Sequence, residues 1–358
     1  MKVLFDHQLF SYQRYGGASK YFAELLANLP REIWETTTIF SNNEYVKSLK
    51  LFECKQFLPN KYFRGQGRIM NELNKPHSIK ILKKQNFDIF HETHFETYCL
   101  KPLGNKPMVT TFHDINFSTF NNNPKIVRLQ KKSLARANHI ITISENTKKD
   151  MLRLFDIEES KITVIHHGIE SVDRNFLEKE RLIKAPYILY VGARTGNKNF
   201  DRFIVSFSEF HKKFPEIFLI CTRSDFTREE KETMQKLGCI DAVKFIGADE
   251  KEMLRLYRDC EFFVFPSLYE GFGMPLLEAM ACGAPVACSN ASCFPEIAMD
   301  AALYFEPTSI DDMKEKMVQL AEDKNLRNAF IEKGNCRVKD FSWKKCAEEH
   351  LKLYESLV

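Results

Sequence analysis

The sequence lacks any long apolar segment. Nowhere do about 18 apolar residues run together without charge, glycine or proline, so we expect no transmembrane helix. The apolar run Val3–Phe5 stops at Asp6 and is too short for the core of a signal peptide. The ten cysteines form no C-x-x-C pair and accompany no histidine at a metal-like spacing. These absences predict a cytoplasmic chain with reduced thiols rather than a secreted or membrane-spanning one.

Low-complexity tracts are absent as well, which argues against a large disordered region. Hydrophobic residues make up 44% of the chain and charged residues 28%, as in globular proteins. A length of 358 residues exceeds what one ordinary core holds and suits two domains of roughly 150–200 residues each. We expect one domain over residues 1–170, a polar linker over 171–185, and a second domain over 186–340.

Short apolar runs alternate with longer amphipathic ones, the pattern of parallel β-α-β units. The predicted strands are 2–5, 36–40, 88–91, 108–112, 139–143, 161–165, 187–191, 217–221, 243–246, 261–265 and 285–288. The predicted helices are 18–29, 68–84, 125–137, 145–154, 200–213, 228–237, 250–258 and 275–281, with further helices from 309 onward. The fold class is therefore α/β, and we expect ligands beyond the carboxyl ends of the strands.

Positive charge is concentrated in the first half of the chain. Residues 1–170 contain 25 Lys and Arg against 17 Asp and Glu, a net charge of +8, whereas residues 171–358 carry −4. Ten of the cations lie between positions 47 and 84. Two explanations remain open: a surface that meets an anionic membrane or a diphosphate-linked acceptor, or a solvated lysine-rich face.

The strongest motif follows the apolar strand predicted at 261–265. Glu270 stands in a loop, the loop continues through Gly271–Gly273, and a helix begins near Pro275 and carries Glu278. Glycines let backbone N–H groups approach a ligand, and a helix N-terminus favours an anion such as phosphate. Carboxylates accept hydrogen bonds from sugar hydroxyls. The pattern indicates a site for a phosphorylated sugar.

A second motif follows the strand predicted at 187–191. Gly192 opens a turn that contains Arg194 and Lys198, and a helix then begins at Phe200. Two fixed cations just beyond a strand can neutralise a diphosphate leaving group without a metal. No Asp-x-Asp pair and no His and Cys cluster suggests a metal site.

Two further patterns lie in the first half. Gly16 and Gly17 precede a helix without forming the G-x-G-x-x-G dinucleotide fingerprint. His113 and Asp114 follow the strand predicted at 108–112. A histidine at the end of a strand is more often structural than catalytic, so on its own this position stays open.

Taken together, these segments resemble the family-four retaining glycosyltransferases (group 1) of the bacterial envelope-polysaccharide type. The resemblance implies the GT-B fold, in which two Rossmann-like domains face each other across a cleft. It also implies that the final segment, residues 341–358, is a helix that crosses back to the N-terminal domain. The N-terminal domain would hold the acceptor and the second domain the nucleotide-sugar donor.

The resemblance also implies roles for individual residues. Glu270 would contact the donor sugar, Glu278 the nucleotide ribose, and Arg194 with Lys198 the leaving diphosphate. The main-chain carbonyl of His113 would face the developing positive charge. The backbone donor contacts would be Gly16, Gly17, Phe272, Gly273, Met274, Pro275 and Leu276, and Asp114 would lie near the acceptor. The sequence departs from the family pattern at Thr222–Ser224, where many members carry a glycine-rich turn, and in the short spacing from Arg194 to Lys198.

The predicted function is metal-independent transfer of a hexose, mannose- or rhamnose-like, from a nucleotide-sugar donor to a glycan or polyprenyl-diphosphate-linked acceptor in surface-polysaccharide synthesis. We favour a GDP-linked donor and expect no cofactor and no nucleic-acid partner. Peripheral contact with the inner face of an anionic membrane is a further expectation. Two alternatives remain: a nucleotide-sugar epimerase on the same fold, and a non-catalytic nucleotide-sugar-binding protein.

Overall fold

The computed structural model describes residues 1–115, 123–170, 172 and 180–358, which form two compact units. Unit 1 contains Met1–Gly168 and Ser342–Val358, and unit 2 contains Ile169–Phe341. The last segment of the chain therefore belongs to the same unit as its first. Of the linker expected at 171–185, residues 171 and 173–179 lie outside the described residues. No described helix combines the length and the apolar character that crossing a bilayer requires.

Unit 1 is built on a parallel sheet. Its strands are Val3–Phe5 (β1), Trp34–Thr36 (β2), Ile89–Glu92 (β3), Met108–Phe112 (β4), His139–Thr142 (β5) and Ile162–Val164 (β6). Its helices are Gln8–Tyr12 (α1), Gly17–Asn28 (α2), Glu44–Ser48 (α3), Gln66–Lys84 (α4), Leu100–Leu103 (α5), Pro124–Arg136 (α6) and Glu145–Leu154 (α7). The strand order is β2-β1-β3-β4-β5-β6. The order reverses beside β1, and open α/β sheets bind ligands at the carboxyl ends of strands at such a point.

Unit 2 has a second parallel sheet with the order of a Rossmann fold. Its strands are Tyr187–Tyr190 (β7), Phe218–Cys221 (β8), Val243–Phe245 (β9), Phe262–Phe265 (β10), Val286–Ser289 (β11) and Leu303–Phe305 (β12). Its helices are Phe200–Lys213 (α8), Arg228–Lys236 (α9), Glu250–Asp259 (α10), Met274–Ala281 (α11), Phe294–Ala298 (α12), Ile310–Glu322 (α13) and Lys324–Arg337 (α14). The order β12-β11-β10-β7-β8-β9 reverses between β7 and β10, which places the switch point there. The α/β class expected from the sequence is confirmed.

One predicted strand is wrong. The sequence favours a strand over 36–40, but β2 covers Trp34–Thr36 and pairs with β1 through Val3 opposite Trp34. The Trp34 side chain is buried, so this register places a large apolar surface in the core. The backbone N–H groups of Ile39 and Phe40 instead donate to the side-chain oxygen of Asn74 on α4, both at 2.9 Å. The Asn74 side chain thus satisfies backbone hydrogen-bond donors in the segment that the sequence assigns to the sheet.

The C-terminal helix of unit 1, Trp343–Glu355 (α15), packs on the sheet through buried histidines and tyrosines. Tyr354 and His91 Nδ1 share a hydrogen bond of 2.6 Å, and Tyr21 and His350 Nε2 share one of 2.7 Å. His167 stacks on Tyr21 with 4.8 Å between ring centroids. These contacts join the last helix to residues from β3, α2 and the segment after β6.

Burial keeps these histidines neutral. It lowers the pKa of His350 to about 4 and that of His113 to about 3, and it holds the pKa of His91 and His167 well below the usual value. His7 belongs to the same class, with its pKa lowered to about 4 by burial.

These shifts predict that unit 1 loses stability in mild acid. In the unfolded chain a histidine has a pKa of about 6.5 and binds a proton at a higher pH than it does in the folded protein. The stability that each neutral histidine contributes is therefore present above about pH 6.5 and is lost as the pH falls toward 4. Burial raises the pKa of Asp6 to about 6 and that of Glu92 well above its usual value, which acts in the opposite sense. With His77, His94 and His139, whose pKa is also lowered by burial, eight described histidines of unit 1 oppose these two carboxyl groups, and the net effect is a loss of stability. The free energy of unfolding, measured by urea titration, should fall steeply between pH 6.5 and 5.

A single substitution provides the control. His350→Gln removes one titrating group, so the slope should flatten by up to about 1.4 kcal/mol per pH unit. A free energy of unfolding that stays level from pH 7 to 5 in the wild type would contradict this interpretation.

Candidate functional site

In unit 2 the loops that follow β7 and β10 meet at the switch point of the sheet. Lys198 Nζ donates a hydrogen bond to Glu270 Oε1, and the two side chains are 23% and 14% exposed. The loops are also joined through Asn197, whose carbonyl accepts from Leu268 N at 2.7 Å and whose side chain donates to Tyr269 O at 2.7 Å. The structure thus brings together two predicted site residues that lie 72 positions apart in the sequence.

The backbone of Glu270 is fixed from a third loop. Ser292 Oγ accepts a hydrogen bond from Glu270 N at 3.1 Å and donates one to Glu270 O at 2.6 Å. The serine lies after β11, the strand next to β10 in the sheet. Together with the bonds of Asn197, these two bonds hold the backbone of the loop that carries the Glu270 carboxylate.

The segment after Glu270 leads to the N-terminus of α11, which no side chain caps. The residue before the helix is Gly273, at φ +88°, and the first turn contains no acidic residue. A Cβ at this glycine would lie 3.1 Å from the Phe294 ring, so both the backbone angle and the packing require glycine. Pro275 has no N–H group and Leu276 N donates to Gly273 O at 2.9 Å, so an anion at this helix N-terminus would rely on Met274 N and the helix dipole. One turn further along, Glu278 Oε2 accepts from Tyr257 OH at 3.2 Å.

Arg194 is in a different setting from Lys198. Its guanidinium is buried and binds Glu230 through Nε at 2.8 Å and Nη2 at 3.1 Å. It also donates to the carbonyls of Ser224 and Asp225, at 2.9 and 2.8 Å. These bonds occupy most of the donors of Arg194, so in this arrangement it secures the loop after β8 rather than presenting a free cation. Lys198 is the cation that lies beside Glu270.

The two glycines at the start of α2 differ in the space around them. A Cβ on Gly16 would lie 2.3 Å from Gln13 Oε1, the atom that accepts a hydrogen bond from Ser19 N in the first turn of the helix. A Cβ on Gly17 would meet nothing within 4 Å, and its φ is not left-handed. A side chain at position 16 would displace the Gln13 cap, whereas one at position 17 would meet no neighbour. A small residue at position 17 leaves room for a ligand to approach the helix N-terminus.

His113 follows directly after β4, and Asp114 comes next, half-buried. The ring of His113 packs edge-on against Tyr21 and Phe22, with centroid separations of 5.1 and 5.9 Å. Neither ring nitrogen has a hydrogen-bond partner among the described residues. With its pKa lowered to about 3 by burial, the ring is neutral at physiological pH. The predicted role of its main-chain carbonyl does not depend on the ring.

Sequence reasoning missed three residues that position the site: Ser292, Glu230 and Asp6. Asp6 accepts from Thr93 N at 3.0 Å and so joins the ends of β1 and β3 ahead of the Gly16–Gly17 loop. For Glu230 a signal existed, because it closes a capping box with Thr227 at the start of α9. Within the described ranges, no three His, Cys, Asp or Glu side chains gather as a metal site would need.

Comparison with known protein families covers almost the whole chain. The family model described as Glycosyltransferase Family 4 matches residues 15–172, and the model described as Glycosyl transferases group 1 matches residues 173–337. O-antigen chain mannosyltransferase B of Escherichia coli is 30% identical over 272 residues, 70% of each chain. The chain belongs to the group 1 glycosyltransferases of family 4.

A second relative supports the same family, and two solved structures share the fold. O-antigen chain mannosyltransferase RfbU of Salmonella typhimurium is 30% identical over 208 residues, 58% of this chain and 57% of that protein. Among solved structures, HepE of Anabaena in complex with UDP and glucose aligns at a TM-score of 0.79 with 17% identity, covering 99% of this chain and 100% of that one. Sucrose-phosphate synthase of Thermosynechococcus elongatus aligns at 0.74 with 18% identity, covering 100% and 99%. The family assignment and the GT-B fold class are thus confirmed.

The contrast between the paired glycines yields a prediction. Gly17→Ala should leave the melting temperature unchanged or slightly raised, because alanine favours a helix and meets no neighbour. Gly16→Ala should lower it, because the added methyl group displaces Gln13. Glycosyl transfer should fall in both variants. Full activity in Gly17→Ala would show that no ligand approaches this position.

The setting of Arg194 predicts that it acts through the loop that it holds. Arg194→Ala leaves the half-buried Glu230 with its Thr227 capping bond but without its cation, which should cost up to about 3 kcal/mol of stability. Glu230→Gln should share much of the stability loss, and turnover should fall with the same pattern in both variants. A loss of turnover in Arg194→Ala with unchanged stability would instead assign Arg194 to the substrate.

Proposed function

We propose that the chain transfers a hexose, with mannose favoured, from a nucleotide-sugar donor on unit 2 to a glycan or lipid-linked acceptor in surface-polysaccharide synthesis. The names of the two 30%-identical relatives, both O-antigen chain mannosyltransferases, support the sugar and the pathway class. For the nucleotide we propose GDP, which neither name specifies. The solved HepE complexes contain UDP or UDP-glucose, so a UDP-linked donor is the alternative to test.

The observation that carries the proposal is the Lys198–Glu270 pair beside the N-terminus of α11. The pair holds a cation and a carboxylate on adjacent loops, at the point where an α/β sheet binds its ligand. A donor diphosphate would contact Lys198 and the N-terminus of α11 at Met274, and Glu270 would accept hydrogen bonds from the sugar hydroxyls. Glu278 would bind the ribose one helical turn away.

The mechanism that we propose retains the anomeric configuration and uses no metal. The bond from the sugar C1 to the donor phosphate breaks, and the acceptor hydroxyl oxygen forms its bond to C1 on the same face. The hydroxyl proton passes to the departing phosphate oxygen. Lys198 stabilises the negative charge that develops on that phosphate. The His113 carbonyl faces the positive charge that develops on the sugar ring.

Removing either member of the pair should separate binding from turnover. Lys198→Ala should lower kcat by about 10²–10³ and weaken GDP binding, while guanosine binds as before, because only the phosphate contact is lost. Glu270→Gln should lower kcat but leave GDP binding intact or tighter, since a nearby negative charge is removed. Calorimetry with GDP and guanosine, together with initial rates, makes this comparison.

The matched control is Lys212→Ala. This lysine is exposed on α8 and pairs with Glu209 in the same unit, so its removal changes the net charge equally without touching the site. Near-wild-type transfer by Lys198→Ala would contradict the proposed role. A thermal-shift panel of GDP-, UDP- and dTDP-sugars identifies the donor, and release of an epimerised sugar from donor alone would indicate an epimerase.

A further inference from the structure

Unit 1 contains a cavity of about 940 Å³ that the donor chemistry does not use. It lies between the segment that runs into the Gly16–Gly17 loop and the start of α4. Arginines and aromatic residues dominate its wall, among them Tyr12, Arg14, Tyr15, Tyr62, Arg64 and Arg68. Its volume suits a ligand larger than a single phosphate.

Two of the three arginines carry charge that no neighbouring carboxylate neutralises. Arg14 is bound by Glu44, at 3.0 Å from Nε and 2.8 Å from Nη2. Arg64 and Arg68 form no ion pair with any residue that the structure describes. Both residues are exposed and line the cavity, so their charges are accessible to an anion that enters it.

The nearby carboxylates are held by other partners. Lys75 binds Glu72 at 2.5 Å and Glu96 at 2.8 Å. Glu96 also accepts hydrogen bonds from Tyr12 OH and from Asn71 Nδ2. Both acids are thus paired with Lys75, and the charged residues that line the cavity are all arginines.

The N-terminus of α4 adds its partial positive charge to the same cavity. The helix begins after Gly65 with no side-chain cap and no acidic residue in its first turn. A Cβ on Gly67 would lie 2.9 Å from Tyr12 O, so glycine is required for the helix to lie against the Tyr12 segment. This close contact fixes the distance between the two walls of the cavity.

Two aromatic rings in the cavity wall are largely exposed: Tyr15 at 62% and Tyr62 at 75%. A tyrosine ring offers a flat apolar face and a polar hydroxyl, which suits the C–H face and the hydroxyls of a sugar. Guanidinium groups recognise phosphate through paired hydrogen bonds. The wall therefore combines the two chemistries of a sugar joined to phosphate.

We propose that this cavity binds the acceptor through a sugar joined to a diphosphate, with Arg64 and Arg68 on the phosphates and Tyr15 and Tyr62 beside the sugar. The proposal rests on the proposed transferase function and names the class of its acceptor. Because Tyr15 directly precedes Gly16, the acceptor cavity and the Gly16–Gly17 loop share one segment of chain.

The test uses the full chain and the paired variant Arg64→Gln with Arg68→Gln. The control is Lys83→Gln with Lys84→Gln, which removes the same charge from exposed positions at the far end of α4, about 24 Å along the helix. The probes are a short-alkyl ester of mannosyl diphosphate, soluble mannose 1-diphosphate, and the alkyl mannoside without phosphate. Calorimetry measures binding to each probe without requiring turnover.

The arginine variant should bind both phosphate probes about 10–100-fold more weakly than the wild type. Its KM for a phosphate-bearing acceptor should rise by a similar factor. GDP affinity, the melting temperature and binding of the alkyl mannoside should stay as in the wild type. Tighter binding of the alkyl ester would assign the phosphate to a lipid carrier, and equal binding to a soluble glycan phosphate; both support the cavity.

Equal affinity of wild type and arginine variant for the phosphate probes would overturn the proposal. An equal loss in the lysine control would do the same, since it would show a diffuse charge effect. If the wild type binds the probes but transfers no sugar from any donor, the proposed function fails while the cavity assignment stands.

Discussion

The pairing of Lys198 with Glu270 is the interaction on which the account of this protein depends. Both residues follow strands at the switch point of unit 2, and the contacts of Asn197 and Ser292 keep their loops in place. Without those backbone bonds, a lysine and a glutamate on loops would move independently, and surface pairs of that kind contribute little. Held together beside the N-terminus of α11, they form the compact site that we propose for a diphosphate and a sugar.

The two units treat charged groups in different ways. Unit 2 keeps its central ion pair partly exposed, where a ligand can exchange with it. Unit 1 buries neutral histidines beneath α15 and leaves two arginines without carboxylate partners at its cavity among the described residues. The first arrangement suits a donor whose leaving group is anionic, and the second suits an acceptor that brings its own negative charge. The assignment of the acceptor to unit 1 and the donor to unit 2 stays a prediction.

The sequence carried the fold and the donor motif because both are local patterns. Strand and helix periodicity predicted most elements, and Glu270, the glycine loop and Glu278 lie within nine consecutive positions. Contacts between residues far apart in the sequence could not be predicted from local patterns. The partner of Arg194 lies 36 residues away, and Asn74 satisfies the backbone that resembled a strand near position 39. Likewise, the basic region gave no indication that Arg64 and Arg68, among ten cations, share one cavity.

The most direct test of the central claim is the configuration of the product. The chain would be incubated with nucleotide-sugar donor and acceptor in the presence of EDTA, and the new glycosidic bond would be assigned by proton NMR. Transfer through Lys198 without a metal predicts a product with the anomeric configuration of the donor, formed at an undiminished rate. An inverted product, or transfer abolished by EDTA and restored by a divalent cation, would contradict the account.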